Sequence, residues 1–208
     1  NALIDDAIGR VMAHLEAKGW LDDTDIIFTP DHGGLDGDTG MLFIGPALVD
    51  NVTRCTLMWQ PAPSRGIAPA AVTAPVGLLD IPATICQIAG VDVPDWMEGR
   101  PLPVSDDDAA AQGREHVFTQ YESYTPDAQI KMNAVYADGW ICNVYERTET
   151  YAGSEGELYN VEEDPRQRNN LWDDPAQKGR IAAMSDLIYS DLLNRPLLHP
   201  VPEPGALI

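Results

Sequence analysis

The chain has 208 residues, enough for one large domain or for a domain with a small appendage. It carries 33 acidic and 13 basic residues, for a formal net charge of −20. This balance excludes a nucleic-acid partner, because phosphate backbones are bound through Lys and Arg. The sequence has no apolar run of about 18 residues, so no membrane span is predicted.

The acidic residues are mostly Asp, and the chain has very few Lys residues to balance them. This surface composition has two interpretations, an adaptation to high salt or an ordinary acidic protein. Both interpretations stay open, as does the choice between a cytoplasmic and a periplasmic or secreted location.

The cysteines are widely spaced and form no CxxC motif. They are Cys55, Cys86 and Cys142. We predict buried free thiols rather than a disulfide or a metal cluster.

The first predicted element is an amphipathic helix over residues 2–18, which Gly19 closes. Its apolar residues recur at helical spacing: Ile4, Ile8, Val11 and Leu15. The apolar run 24–29 predicts a buried, central parallel strand, and 53–60 predicts a second core strand that contains Cys55.

A Pro-rich surface loop is predicted over residues 61–75 and a further helix over 81–89. Asp80 is the expected N-cap of this helix and Gly90 its C-terminal glycine. Its predicted buried face carries Ile81, Ile85 and Ile88. The alternation of helices and strands predicts an α/β domain over residues 1–103.

The second half differs in character. An acidic linker is predicted over residues 104–115, with the Asp106–Asp108 run solvated, and a small α+β subdomain over 116–195. Its predicted strands are 116–121, 130–137, 140–145 and 157–161. A two-residue turn at Asp138-Gly139 joins the second and third strands. A helix is predicted from Asp174 to about Leu193. Residues 196–208 form a Pro-rich tail that we expect to be extended.

The sharpest candidate site is the pair Asp31 and His32, which directly follows the predicted strand 24–29. In open α/β sheets, ligands bind at the carboxyl ends of strands. A carboxylate beside an imidazole can supply two ligands to one divalent metal ion. The alternative is a plain turn in which Asp31 caps the backbone and His32 is merely polar, and spacing leaves both open.

A set of motifs in consistent order resembles the C-terminal part of sulfatases of the alkaline-phosphatase superfamily. The matching pieces are Asp5–Arg10, Thr24–Gly33, Thr53-Arg54, Leu79–Thr84, Ala89–Val91, Gly99–Leu102, Glu157–Asn160, Glu163–Pro165 and Asn169–Leu171. The Asp-His pair is also similar to the phosphonate monoester hydrolase branch, and arylsulfatases are the other near branch.

This resemblance implies a fold and a function. The implied fold is α/β, a partial alkaline-phosphatase-like parallel sheet with flanking helices, followed by a small antiparallel sheet with a C-terminal helix. The implied function is hydrolysis of sulfate esters on a small molecule or glycan. One alternative is a phosphonate or phosphate monoester or diester hydrolase on the same scaffold. Another is a non-catalytic relative that binds an anion or a partner.

The resemblance also assigns roles to residues. Asp31 and His32 would bind a divalent cation, with calcium expected and manganese or magnesium as alternatives. Arg54 and Thr39 are candidate substrate-side residues, although Arg54 could instead form a structural ion pair. Thr39 stands where relatives carry a His, and Ile44 stands where they carry a Lys that meets the sulfate. These two differences put efficient cleavage of sulfate esters in doubt.

The resemblance places the nucleophile, a formylglycine made within C/S-x-P-x-R, in an N-terminal half outside this chain. No catalytic residue is identified here, and the 208 residues alone are expected to be inactive. Residues 61–65 mimic the end of that motif, but position 61 is Pro, so we interpret the match as coincidence.

Overall fold

The computed structural model describes residues 2–37, 40–42, 44–125 and 128–194. The regular elements in chain order are α1 (Ala2–Ala17), β1 (Ile26–Phe28), α2 (Asp50–Thr53), β2 (Met58–Gln60), α3 (Asp80–Ile88), α4 (Asp106–Ala111), β3 (His116–Thr125), β4 (Ala128–Ala137), β5 (Trp140–Tyr145), β6 (Gly156–Asn160) and α5 (Lys178–Asn194). The predicted α/β class is confirmed, whereas the Pro-rich tail lies outside the described residues. Within those ranges, no helix combines the length and the apolar character needed to cross a bilayer.

The first sheet is a two-stranded antiparallel pair. β1 pairs with β2, with Ile27 opposite Trp59. The sequence predicts a central parallel strand over residues 24–29, but in the described part of the chain the observed pairing is antiparallel. An apolar run cannot specify the direction of its partner. Here Asp25 fixes the pair, since its Oδ1 accepts bonds from Trp59 Nε1 at 2.9 Å and from Arg65 at 3.1 Å.

The second predicted strand, 53–60, is regular only at its end. Residues 50–53 form the single turn α2, in which Thr53 Oγ1 donates to the Val49 carbonyl at 3.1 Å. The predicted strand position of Cys55 is therefore wrong, because that residue lies in the irregular segment between α2 and β2. Cys142 is buried, while Cys55 and Cys86 are half-buried, and all three are free thiols.

Helix α3 begins close to the predicted residue but buries a different face. The buried residues are Asp80, Ala83 and Thr84, whereas Ile85 is 54% exposed. Leu79, rather than the predicted Asp80, occupies the N-cap position. The Asp80 carboxylate instead accepts hydrogen bonds from the amides of Gly77 and Arg100. The predicted end is confirmed, with Gly90 in the left-handed region at φ 67°.

The segment predicted as a solvated linker, 104–115, is folded. Ser105 caps α4 by accepting a bond from the Asp108 amide at 3.1 Å, and Asp106 accepts bonds from the amide and hydroxyl of Thr73. Ala109 is buried against the rest of the chain. The acidic run is therefore used in helix capping and in tethering the Pro-rich loop, while the domain boundaries stay predictions.

The second sheet is antiparallel with strand order β3-β4-β5-β6. The Asp138-Gly139 turn is confirmed, and both residues have positive φ, at 48° and 75°, as a tight hairpin turn requires. Helix α5 covers one face of the sheet, as predicted. The core between them consists of Val135, Cys142, Val144, Leu158, Met184 and Ile188.

Candidate functional site

Asp31 and His32 lie side by side in the turn that follows β1. The Asp31 Oδ1 accepts a bond from the His32 amide at 3.0 Å, and Asp31 Oδ2 lies 3.5 Å from His32 Nε2. Both side chains reach solvent, with exposed fractions of 86% and 44%. The other ring nitrogen, Nδ1, is 2.9 Å from the Gly33 carbonyl.

The third residue of this turn must be glycine. The Gly33 amide donates to the Val52 carbonyl at 2.8 Å. A Cβ atom on Gly33 would lie 1.9 Å from the carbonyl oxygen of Asn51, far inside van der Waals contact. The turn therefore lies directly against the backbone of α2, which fixes the position of the preceding pair.

Apolar packing strengthens the same contact. Leu35 is fully buried and packs against Val49 and Val52, on either side of the start of α2. The stretch that carries Asp31 and His32 is thus held to α2 by a hydrogen bond and by a small apolar cluster.

Residues 48–50, just before and at the start of α2, are in turn attached to the C-terminal half of the chain. Leu48 packs against Met132 and Ala134 of β4. Asn143 of β5 donates to the Leu48 carbonyl at 3.3 Å, and the Asp50 amide donates to Gln167 Oε1 at 2.6 Å. Sequence reasoning missed these anchors, because partners 95 and 117 positions apart leave no local pattern.

The pair offers a donor set that suits a divalent cation. A carbonyl oxygen can only accept, so the bond to Gly33 places the proton on His32 Nδ1 and leaves Nε2 with a lone pair in the neutral ring. The Nε2 atom lies 3.5 Å from Asp31 Oδ2. Calcium ligands lie at about 2.3–2.6 Å, so two ligands at right angles are about 3.3–3.7 Å apart. The observed 3.5 Å fits this range.

The pair by itself is an incomplete coordination sphere. Across the part of the chain that the structure describes, His, Cys, Asp and Glu side chains form no group of three that could hold a metal ion. Calcium takes six to eight oxygen ligands. The pair therefore needs further ligands to complete a calcium site.

The other candidate residues have different positions. Arg54 lines the same open cleft as Asp31, His32 and Ile44. Its side chain is 76% exposed and makes a 3.5 Å ion pair with Asp50, so both the substrate-side role and the structural pair stay predictions. Thr39 lies outside the described residues. Ile44 is 42% exposed, so it is not a core residue.

Asp31 acts electrostatically on Cys55, which lines the same cleft. Burial raises the pKa of the Cys55 thiol, and the nearby Asp31 carboxylate raises it further. Cys55, which directly follows Arg54, therefore lies within electrostatic range of Asp31.

Comparison with known proteins identifies the family. The sequence profile described as "N-sulphoglucosamine sulphohydrolase, C-terminal" matches residues 55–191. The chain belongs to this sulfatase family. The match covers the helix α3, the four-stranded sheet and most of α5, and it leaves residues 31 and 32 outside.

Individual proteins are also similar to the chain in sequence or in fold. The chain is 27% identical over 176 residues to an N-acetylglucosamine-6-O-sulfatase of Bacteroides thetaiotaomicron, covering 81% of this chain and 30% of the relative. The phosphonate monoester hydrolase of Agrobacterium radiobacter has a similar fold, with a TM-score of 0.80 and 23% identity over 94% of this chain and 40% of that one. A protein solved in complex with its substrate D-glucosamine-2-N,6-O-disulfate has a TM-score of 0.70 at 20% identity, covering 91% of this chain and 38% of that one. The chain thus spans about a third of the length of the relatives.

Proposed function

We propose that this chain is the C-terminal portion of a metal-dependent sulfatase, and that Asp31 and His32 supply two ligands of its active-site cation. The observation that carries the proposal is the paired donor set at the end of β1, in a chain whose remainder belongs to a sulfatase family. The nucleophile, a formylglycine, is proposed to lie outside these 208 residues, so the chain alone would be inactive.

The residues of this chain would hold and orient the cation rather than perform the bond-breaking step. A bound divalent cation supplies positive charge that polarises a sulfate ester. Asp31 contributes the negative charge that binds it, and His32 contributes a nitrogen ligand whose ring is oriented by the Gly33 carbonyl. Because the turn is fixed against α2, the backbone that carries the two proposed ligands is held in place.

Calcium is the proposed ion, with manganese and magnesium as alternatives. The 3.5 Å separation of the two donor atoms suits the long bonds of calcium better than those of magnesium, which at 2.0–2.1 Å bring right-angled ligands to about 2.8–3.0 Å. The imidazole nitrogen keeps manganese in consideration, since histidine suits transition metals.

A sulfated sugar is the proposed substrate. A similar sequence is that of an N-acetylglucosamine-6-O-sulfatase, and a similar structure contains D-glucosamine-2-N,6-O-disulfate as its substrate. The exposed guanidinium of Arg54 lies on the cleft wall, where it can pair with a sulfate oxygen of such a substrate. We keep Thr39 as a second substrate-side candidate on the basis of its sequence position.

A phosphonate or phosphate ester is the alternative substrate. It is favoured by the fold similarity to a phosphonate monoester hydrolase. It is also favoured by the sequence position of Ile44, where the resemblance implies a lysine that meets the sulfate. A non-catalytic relative that binds only an anion or a partner is the third candidate.

The test is hydrolysis of nitrophenyl sulfate and of a nitrophenyl phosphonate monoester by the full-length protein with calcium. We expect a higher kcat/KM for the sulfate ester and a loss of at least about a hundredfold in Asp31→Ala, with exposed Asp22→Ala as the control. Preference for the phosphonate ester would favour the alternative. Activity unchanged in Asp31→Ala would overturn the site.

A further inference from the structure

Gln167 is a buried polar residue whose position the apolar core does not explain. Its side chain is 6% exposed, and its Oε1 accepts the 2.6 Å bond from the Asp50 amide. Its Nε2 atom is buried without a hydrogen-bond partner among the described residues. Burying an unpaired amide group is unfavourable, so Gln167 carries a cost in stability.

The backbone of Gln167 is also in an unfavourable conformation. Its φ is 47°, in the left-handed region that residues other than Gly, Asn and Asp rarely adopt. The turn is held from both sides by Asp164, whose carbonyl accepts the Gln167 amide at 2.9 Å and whose carboxylate accepts the Asn169 amide at 2.8 Å. Strained conformations of this kind persist where the surrounding structure fixes them, and they concentrate at functional sites.

The bond from Asp50 to Gln167 reaches a helix end that needs an acceptor. Asp50 is the first residue of α2, and the N–H groups of a first helical turn have no partner within the helix. Val49, at the N-cap, provides no side-chain bond. Gln167 therefore caps α2 from a turn 117 residues further along the chain.

Helix α2 is the element against which the metal-ligand turn rests. The Val52 carbonyl accepts the Gly33 amide, and Gly33 leaves no space between its Cα and the α2 backbone. A shift of α2 would therefore be transmitted to Gly33 and to the two residues before it. The path of direct contacts runs from Gln167 through Asp50 and Val52 to Gly33 and the pair.

We propose that Gln167 is a positioning residue for the Asp31–His32 pair: by accepting the Asp50 amide it fixes α2, and α2 fixes the turn that carries the two ligands. The inference rests on the proposed function, since it assumes that the pair binds a cation. It gives the C-terminal subdomain, whose core lies on the other side of the sheet, a defined role in the site.

The test uses the full-length protein with two substitutions at one position. Gln167→Met keeps the length of the side chain and the strained backbone but removes the acceptor, whereas Gln167→Glu keeps an acceptor. Asn170→Ala is the matched control, because Asn170 accepts the Leu158 amide in the same subdomain but has no bond to the α2 segment among those described. Two quantities are measured: calcium affinity by titration calorimetry, and hydrogen exchange of the peptide that contains Gly33.

In Gln167→Met we expect calcium affinity to fall about fivefold and exchange at Gly33 to rise about fivefold, the size of one lost hydrogen bond. Gln167→Glu buries a carboxylate and should lower the melting temperature, but because it keeps the acceptor, calcium affinity and exchange at Gly33 should stay closer to wild type than in Gln167→Met. Asn170→Ala should lower the melting temperature without changing either quantity. This pattern separates positioning from general stability.

Wild-type values in Gln167→Met, with calcium binding still abolished by Asp31→Ala, would overturn the positioning role and leave the proposed function standing. An equal loss of affinity in Asn170→Ala, or a Gln167→Glu variant as weak as Gln167→Met, would also overturn it. If Asp31→Ala binds calcium like wild type, the metal site itself fails and the inference falls with it.

Discussion

Replacing Arg114 by Met should destabilise the protein by about 3–5 kcal/mol. The Arg114 side chain is 2% exposed and makes a 2.7 Å ion pair with Asp80, whose side chain is 9% exposed. Arg114 also donates to the carbonyls of Arg100 and Pro101, and to Gln112. Met fills similar volume but leaves a buried carboxylate without its counter-charge and two carbonyls without their donor.

The assay is urea unfolding of wild type and variants, followed by tryptophan fluorescence. Met at the exposed Arg166 is the control and should change the free energy of unfolding by less than about 0.5 kcal/mol. Adding Asp80→Asn to Arg114→Met removes the isolated charge. The double variant should therefore be more stable than the sum of the single effects by at least about 1 kcal/mol.

A loss below about 1 kcal/mol in Arg114→Met, or strict additivity in the double variant, would refute this reasoning. It would mean that the segment around α4 is only loosely attached and behaves as the solvated linker that its acidic composition predicts.

Further predictions concern the cleft, salt and pH. Ile44→Lys in the full-length protein should raise kcat/KM for nitrophenyl sulfate, because a cation near the transferring group stabilises its transition state; an unchanged value would show that another residue supplies that charge. If the acidic surface is a salt adaptation, the melting temperature should rise steeply from low to molar KCl as repulsion is screened, and a flat profile would leave an ordinary acidic protein. Burial raises the pKa of Cys142 from 9.0 to about 12 and that of Tyr159 from 10.0 to about 12. Between pH 9 and 12 the folded state therefore keeps protons that the unfolded state loses. The free energy of unfolding should fall as the pH rises through this range. Cys142→Ala should reduce this fall and Cys86→Ala should not, as measured by urea unfolding at pH 8 and 10.5.

The second half of the fold could be predicted from sequence because its signals are local. Asp138-Gly139 specifies a hairpin turn wherever it joins two alternating runs, and the predicted strand 140–145 is observed with those bounds. Helix α5 was also predicted, and its local signal is helical spacing: Met184 and Ile188 lie one turn apart and both are buried.

The first half could not be predicted as well because its structure depends on distant partners. The run 24–29 gives the position of a strand but not the direction of its partner. The partner strand, which contains Trp59, is antiparallel to it, and Trp59 donates a hydrogen bond to Asp25. In α3 the ion pair of Asp80 with Arg114 decides which face is buried, and Ile85 is left exposed.

The site shows the same division. Asp31, His32 and Gly33 are adjacent in sequence, so their motif was visible, and the structure adds why Gly33 is required. The anchors Asn143 and Gln167 bond to Leu48 and Asp50, just before and at the start of α2, and no pattern in a single sequence connects them to the site.

The central claim is that Asp31 and His32 hold a divalent cation, and the calcium content of purified full-length protein tests it most directly. Elemental analysis should find about one divalent ion per wild-type molecule and little in Asp31→Ala. The reason is that the Asp31 carboxylate supplies the negative charge of the Asp31–His32 pair. His32→Ala should lose less calcium, since calcium prefers oxygen ligands. Equal metal content in wild type and Asp31→Ala would contradict the account.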